Sequence, residues 1–286
     1  MSALAQALKR GVSLQREGRL QEALTLYGEL AAGHPGHAEA LFRLATVQSE
    51  LGMHDAALAS IDAALAIERR PPLRFARADM LERMGRAADA LLELQSLVAE
   101  ATDFAPALAR LGALLLDAGR ATEAVAALRK AAALRPQHAP TLNNLAYACL
   151  RAGEAREAES AAQAALDADP AHGRARAVLA NALLRQAAYT RAELELTRAA
   201  QASRDPALWL ELANVRLNLG RAAEALAAFD GALALAPPDL AQIESSRLLA
   251  MHYEDRVGPA EIFAAHRAWA KHHASPAAPR PPRRPG

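Results

Sequence analysis

The feature that most constrains the fold of this chain is an internal repeat of 33 or 34 residues. It recurs seven times between residues 4 and 238, with starts near Leu4, Ala38, Pro71, Ala105, Ala139, Gly173 and Pro206. A period of this length corresponds to one pair of helices, which must stack on its neighbours because it cannot bury its apolar face alone. The repeat therefore predicts an all-α chain of about seven helix–turn–helix units.

Four places in the repeat carry the same kind of residue in all or all but one of the seven copies. The eighth place is small and the twentieth is always alanine, which lets the two helices of a pair approach closely. The fifteenth is glycine in six of seven repeats, with Ala187 as the exception, and glycine takes the left-handed conformation that ends a helix. The twenty-fourth place is bulky, except for Ala162: Tyr27, Ile61, Leu94, Leu128, Leu196 and Phe229.

Composition agrees with a helical chain and argues against several classes of function. Hydrophobic residues make up 52% of the chain but aromatic residues only 4%, and the alanine and leucine behind this difference favour helix. A net charge of +1 is too small for a bulk nucleic-acid binder. Cys149 is the single cysteine, and the sequence shows neither a transmembrane stretch nor a signal peptide. We therefore expect a cytoplasmic protein that neither binds nucleic acid nor inserts into a membrane.

The repeated residues resemble the tetratricopeptide repeat (TPR) family over residues 4–238. That resemblance implies a right-handed solenoid in which the first helix of each repeat lines a concave groove for a protein or peptide ligand. The outward places of the first helices, together with Asn144, then supply the candidate partner-binding residues: Arg83, Asn143, Asn144, Tyr147, Arg151, Asn181, Arg185, Asn214 and Asn218. Asparagine can hold a peptide backbone and arginine can grip a carboxylate. The three lysines do not cluster, which disfavours a lysine-based clamp on a terminal carboxylate.

The repeat pattern breaks after Pro237 and Pro238. Residues 239–273 predict two capping helices that pack on the last repeat, separated by the turn EDRVG. The second helix, PAEIFAAHRAWAKHH, carries Ile262, Phe263, His266, Trp269 and Ala270 on one side, and the end of repeat seven is the nearest partner for that side. Residues 274–286 are rich in proline and arginine and predict a disordered tail.

The stretch from Ser245 to His273 also resembles the junction between repeats and catalytic region in bacterial protein O-GlcNAc transferases of the SPINDLY type. The matching residues are Leu248, Leu249, Tyr253, Glu261, Ile262, Phe263, His266, Arg267 and Trp269. In that family a two-lobed region follows that binds UDP-GlcNAc and modifies Ser or Thr hydroxyls. No βαβ pattern or phosphate-binding loop occurs in this sequence, so the resemblance implies the recognition half without the catalytic lobes.

Three functions remain open at this stage. The first is a non-catalytic TPR scaffold for protein–protein interaction, and the second is the substrate-recognition part of a split or truncated O-GlcNAc transferase, with a glycosyltransferase domain as a partner. The third is an assembly factor for a secretion or envelope complex. No catalytic residue, cofactor or metal site is predicted: His266 and His273 lack further ligands, Cys149 is expected to be buried, and the acidic pair Asp167 and Asp169 ends a second helix.

Overall fold

A computed structural model describes residues 3–273, and every regular element among them is an α-helix. The prediction of an all-α helical repeat fold is confirmed. The sixteen helices are α1 Ala3–Arg16, α2 Leu20–Gly33, α3 Ala38–Glu50, α4 His54–Ile67, α5 Pro71–Arg83, α6 Ala87–Glu100, α7 Ala105–Asp117, α8 Ala121–Leu134, α9 Ala139–Ala152, α10 Ala155–Ala168, α11 Gly173–Arg185, α12 Tyr189–Ala202, α13 Pro206–Asn218, α14 Ala222–Leu233, α15 Leu240–Met251 and α16 Pro259–His273. No helix within residues 3–273 combines the length and the apolar character needed to cross a bilayer.

The described residues divide into two compact units, which meet between residues 148 and 149 of the chain. In the first unit each helix from α1 to α8 packs against the next one along the chain, and in the second unit the same holds from α10 to α16. This order of contacts is the one expected when helix pairs are added one after another. The predicted tail at residues 274–286 lies outside the described residues.

The turn within a repeat is built by one glycine and two backbone hydrogen bonds. In the first repeat the amide of Gly18 donates to the carbonyl of Gln15 (3.0 Å) and the amide of Arg19 donates to that of Leu14 (2.9 Å). This is the pattern that closes a helix through a left-handed residue, and Gly18 has φ of 76°. In the sixth repeat Ala187 takes the same place with φ of 57°, so an alanine there holds a conformation that glycine adopts more cheaply.

The small eighth place faces the bulky twenty-fourth place of the same repeat. A Cβ added to Gly11 would lie 2.4 Å from the ring of Tyr27, and one added to Gly112 would lie 2.3 Å from Cγ of Leu128. Tyr27 and Leu128 are fully buried. The close approach of the two helices therefore depends on the absence of a side chain at Gly11 and Gly112, as the sequence pattern indicated for small residues in general.

Three first helices begin with a histidine cap that the sequence analysis missed. His37 and His172 accept hydrogen bonds at Nδ1 from the amides of Ala40 (3.1 Å) and Ala175 (3.2 Å). His138 lies in the same place before α9, with Nδ1 2.8 Å from the hydroxyl of Thr141. An unprotonated Nδ1 is needed to accept these bonds, and burial together with the Arg135 charge lowers the pKa of His138.

The two C-terminal helices form a further hairpin in phase with the repeats. Leu240 begins α15 34 positions after Pro206 begins α13, and α15 adds Ile243 and Ala250 to the core that includes α13 and α14. Helix α15 therefore covers the seventh repeat. The loop from 252 to 258 that follows α15 is longer than the three-residue turn at 219–221.

The predicted inward side of α16 was partly wrong. The half-buried residues of this helix are Ile262, Ala265, Trp269 and His273, whereas Phe263 is 64% exposed and His266 and Ala270 are exposed as well. Helix α16 packs against α15. The indole Nε1–H of Trp269 donates to the carbonyl of Ala241 (3.2 Å) and Nε2 of His273 lies 2.6 Å from a carboxylate oxygen of Glu244. These two bonds fix the rotation of α16 about its axis, which the spacing of apolar residues alone does not determine.

Candidate functional site

The candidate site of the second unit lies on its first helices, α11, α13 and α15. Asn214 and Asn218 are exposed and one helical turn apart on α13, and Arg185 is exposed at the end of α11. Asn181 occupies the same repeat place on α11 as Asn214 does on α13, and it is half-buried. We call these side chains, with Leu249 and Tyr253 of the α15 end, the first-helix face of the second unit.

Asn181 is engaged by a neighbour that the sequence analysis did not consider. Its side-chain Nδ2 donates to a carboxylate oxygen of Glu211 on α13 (3.1 Å) and to the carbonyl of Ala177 (3.2 Å). Burial raises the pKa of Glu211, the hydrogen bond from Asn181 opposes that rise, and the charge of Asp205 adds to it. The amide of Asn181 thus joins α11 to α13, so a ligand would have to compete with Glu211 for its donor.

A concavity of about 450 Å³ opens where α13 ends and α15 ends. We call it the C-terminal concavity, and its lining residues are Leu217, Asn218, Gly220, Ala222, Leu249 and Tyr253. Leu249 is 58% exposed and Tyr253 is 66% exposed. Apolar walls with one amide and one phenol are the composition of a small binding site for a side chain of a ligand.

The exposed side chains at this concavity do not belong to the buried side of α15. Leu248, the preceding residue, is buried and packs inward, as are Ile243 and Ala250 of the same helix. Leu249 of α15 and Tyr253 of the turn that follows this helix line the same concavity. Leu249 and Tyr253 are therefore outside the core and accessible to a ligand.

In the first unit the candidate residues are not equally available to a ligand. Arg83 is exposed and donates to the hydroxyl of Ser49 (3.3 Å), and Tyr147 is exposed. Asn144 is half-buried, but Asn143 is only 8% exposed and its Oδ1 has no hydrogen-bond partner among the described residues. Asn143 therefore does not present the free surface amide that its repeat place led us to expect.

The remaining sequence-selected residues lie in the second unit. Arg151 is exposed at the end of α9. The guanidinium of Arg267 lies 5.9 Å from the ring centroid of Phe263 on the outward side of α16. Cys149 is fully buried, and its Sγ lies within 4.8 Å of carboxylate oxygens of Glu154 and Glu157. A buried thiol on the packed side of a helix is what the sequence predicted for Cys149.

Comparison with known families decides the class of the chain. Two models of the family described as "Tetratricopeptide repeat" match it, one at residues 14–78 and 115–181 and the other at 189–239. The chain belongs to the tetratricopeptide repeat family. No curated protein matches its sequence.

Several solved structures share this fold at low sequence identity. The C-terminal part of a TPR repeat-containing protein from Cytophaga hutchinsonii is 18% identical with a TM-score of 0.65, over 81% of this chain and 96% of that one. Pseudomonas aeruginosa pilF is 18% identical with a TM-score of 0.61, over 75% and 99%. A TPR protein from Parabacteroides merdae is 17% identical with a TM-score of 0.57, over 87% and 98%. At these sequence identities the likenesses show that the fold is shared and nothing more.

Proposed function

We propose that this TPR protein is a non-catalytic scaffold that binds a protein or peptide partner through the first-helix face of its second unit. The observation that carries the proposal is the C-terminal concavity of about 450 Å³, with Leu249 and Tyr253 exposed at its wall. An apolar side chain of the partner would enter this concavity and remove both residues from water. Burial of apolar surface contributes roughly 25 cal/mol per Å², so removal of Leu249 and Tyr253 from water would favour binding.

Polar groups beside the concavity fit an extended peptide. Asn214 and Asn218 are exposed, one turn apart, and an asparagine amide offers both a donor and an acceptor to a peptide backbone. Arg185 supplies an exposed cation on the neighbouring first helix α11 for an acidic side chain of the partner. The site therefore favours a peptide that carries an apolar anchor and an acidic residue.

A selection from a random peptide library tests this proposal on the full chain. The wild-type protein is expected to enrich peptides with a recurring large apolar residue, and Leu249→Ser with Tyr253→Ser is expected to lose that enrichment. Leu194→Ser is the matched control, because Leu194 is also exposed but lies on the second helix α12 of the same unit. Enrichment of the same peptides by the double variant would place the binding site elsewhere and refute the assignment.

A second candidate keeps the resemblance of Ser245–His273 to the junction of O-GlcNAc transferases. In this interpretation the chain is the recognition part of such an enzyme, and a glycosyltransferase domain packs against the junction residues. Three of these residues, Leu249, Tyr253 and Phe263, are apolar and exposed, which favours a covering partner of this kind. No comparable observation favours the remaining alternative, an assembly factor for a secretion or envelope complex.

Two measurements separate the second candidate from the first. Sequencing the DNA beyond the codon for Gly286 would show whether a glycosyltransferase region is encoded there, in frame or shifted. The purified chain is expected to show no hydrolysis or transfer of UDP-GlcNAc, because the described residues supply no donor-binding lobe. Without such a coding region nearby, the transferase interpretation loses its main support and the plain scaffold stands.

A further inference from the structure

Glu211 of α13 is a carboxylate of the second unit that no cation neutralises within residues 3–273. It is half-buried, and no lysine, arginine or histidine of the described residues forms an ion pair with it. Among these residues its carboxylate accepts one hydrogen bond, from the uncharged amide of Asn181 (3.1 Å). Burial raises the pKa of Glu211, this hydrogen bond opposes the rise, and the charge of Asp205 adds to it. The free chain therefore holds an acidic side chain in surroundings that disfavour its charge.

The same place of the repeat carries a balanced charge in the first unit. Arg110 is the sixth residue of repeat four, as Glu211 is of repeat seven. The Nε of Arg110 lies 2.8 Å from a carboxylate oxygen of Glu82, the twelfth residue of the preceding repeat. In repeat six the twelfth place is Leu184, which is apolar and packs against the core. The sixth place can thus hold an ion pair between neighbouring repeats, and the second unit keeps one charge of such a pair without the other.

We propose that Glu211 binds the cationic side chain of a lysine or arginine of the partner, and that it determines which peptides the second unit accepts. Because this role rests on the proposed function, it applies to a peptide that lies on the first-helix face. A carboxylate that burial has already deprived of part of its water loses little more when a ligand covers it. A charge-assisted hydrogen bond from the ligand is also stronger than one between neutral groups. The partner would therefore supply the cation that the described residues do not.

The position of Glu211 on α13 fixes where the basic residue of the peptide would lie. Glu211, Asn214 and Asn218 follow one another at intervals of three and four residues, which places them on one side of the helix. Asn218 lines the C-terminal concavity. With a rise of about 1.5 Å per residue, Glu211 lies about 10 Å from Asn218 along the helix axis, and an extended peptide covers that length in about three residues. A peptide that runs along α13 would therefore carry its basic residue about three positions from its apolar anchor.

A purely structural role of Glu211 is the competing explanation, in which the carboxyl serves only to hold the amide of Asn181. Glu211→Gln separates the two explanations, because glutamine keeps the size of the side chain and an oxygen that accepts from Asn181 but carries no charge. Asp167→Asn is the matched control, since it removes the same charge from an exposed place on the second helix α10 of the same unit.

Selection from a random peptide library on the full chain is the first measurement. The wild-type protein and Asp167→Asn should enrich peptides with a lysine or arginine about three positions from a large apolar residue. Glu211→Gln should enrich the apolar residue alone. An enriched apolar residue without a basic one in the wild-type selection would overturn the role of Glu211 and leave the proposed function in place. Absence of any enriched residue would remove both.

Calorimetric titration of one selected peptide measures the size of the effect. Replacing its basic residue by norleucine should weaken binding to the wild-type protein by about tenfold and binding to Glu211→Gln by less than about twofold, because a hydrogen bond to a charged group contributes about the larger factor. A wild-type chain that binds both peptides equally would overturn the proposal whether or not a variant folds. Equal losses in the wild-type protein and in Glu211→Gln would also overturn it, since the basic residue would then bind elsewhere.

Discussion

The close packing within the fourth repeat predicts that one added methyl group is destabilising. In Gly112→Ala the new Cβ would lie 2.3 Å from Cγ of Leu128 and 2.8 and 2.9 Å from its two Cδ atoms. Carbon atoms pack at about 3.5–4.0 Å, so α7 and α8 would have to move apart by roughly 1 Å. Leu128 cannot turn away, because it is fully buried in a dense interior.

The expected free-energy change follows from two opposing effects. Overpacking of a buried site costs about 1–3 kcal/mol, whereas replacing a glycine within a helix by alanine gains up to about 1 kcal/mol. Gly112→Ala should therefore lower the free energy of unfolding by about 1–2 kcal/mol. Gly28→Ala in α2 is the matched control: its added Cβ meets nothing within 4 Å, so it should raise that free energy by about 0.5–1 kcal/mol.

Urea unfolding followed by circular dichroism at 222 nm would measure both changes as shifts of the midpoint at constant slope. A double substitution supplies the critical comparison. Leu128→Ala alone should cost about 2–5 kcal/mol, but in the Gly112→Ala background it removes the three clashing atoms, so the combined loss should fall short of the sum by at least about 1 kcal/mol. Additive losses, or a Gly112→Ala protein as stable as the wild type, would refute the packing argument.

Three further predictions concern backbone strain and pH. Ala187→Gly should raise the free energy of unfolding by about 0.5–1 kcal/mol, and Gly220→Ala should lower it by about 1 kcal/mol, because both residues have positive φ. If the two substitutions shifted the melting temperature in the same direction, this reasoning would be contradicted. The lowered pKa of His138 means that the native state disfavours its protonation. Stability is then fully present above the ordinary histidine pKa and falls as pH drops below it, and His138→Asn should flatten this loss in melts between pH 7 and 5. The raised pKa of Glu211 has the opposite effect. On acidification the native state binds a proton at this carboxyl at a higher pH than the unfolded state does, so stability falls as pH rises through the raised pKa. Glu211→Gln should remove this fall, and unchanged melting curves from mildly acidic to neutral pH would show that burial of Glu211 costs nothing.

The helical hairpins were predictable because their determinants are local and repeated. The glycine turn depends on one residue, and the contact of Gly11 with Tyr27 joins two places that lie only sixteen residues apart. Each such signal occurs again in later repeats, so no single departure obscures it. Even Ala187, which departs from the pattern, keeps the positive φ because the rest of its repeat imposes the turn.

The details of the candidate site depend on contacts that do not repeat. Asn181 donates a hydrogen bond to Glu211 thirty residues away, and only the stacking of successive helix pairs brings these two residues together. The outward turn of Phe263 follows from bonds that Trp269 and His273 make to α15. Apolar spacing on one helix cannot report such contacts, since several rotations of α16 satisfy the same spacing. The sequence therefore predicted the helices of the repeats better than it predicted which of their side chains are exposed.

The C-terminal hairpin separates what the fold needs from what a ligand would use. Ile243, Leu248 and Ala250 of α15 are buried and continue the packing of the repeats. Leu249 and Tyr253 lie on the same element but remain exposed, although a serine at either place would leave that packing intact. Isolated apolar residues on a surface are ordinary, whereas these two line one concavity together with Leu217 and Asn218. If the proposed partner covers this concavity, the hairpin that continues the repeats supplies both the packing that closes the seventh repeat and the apolar side chains that the partner buries.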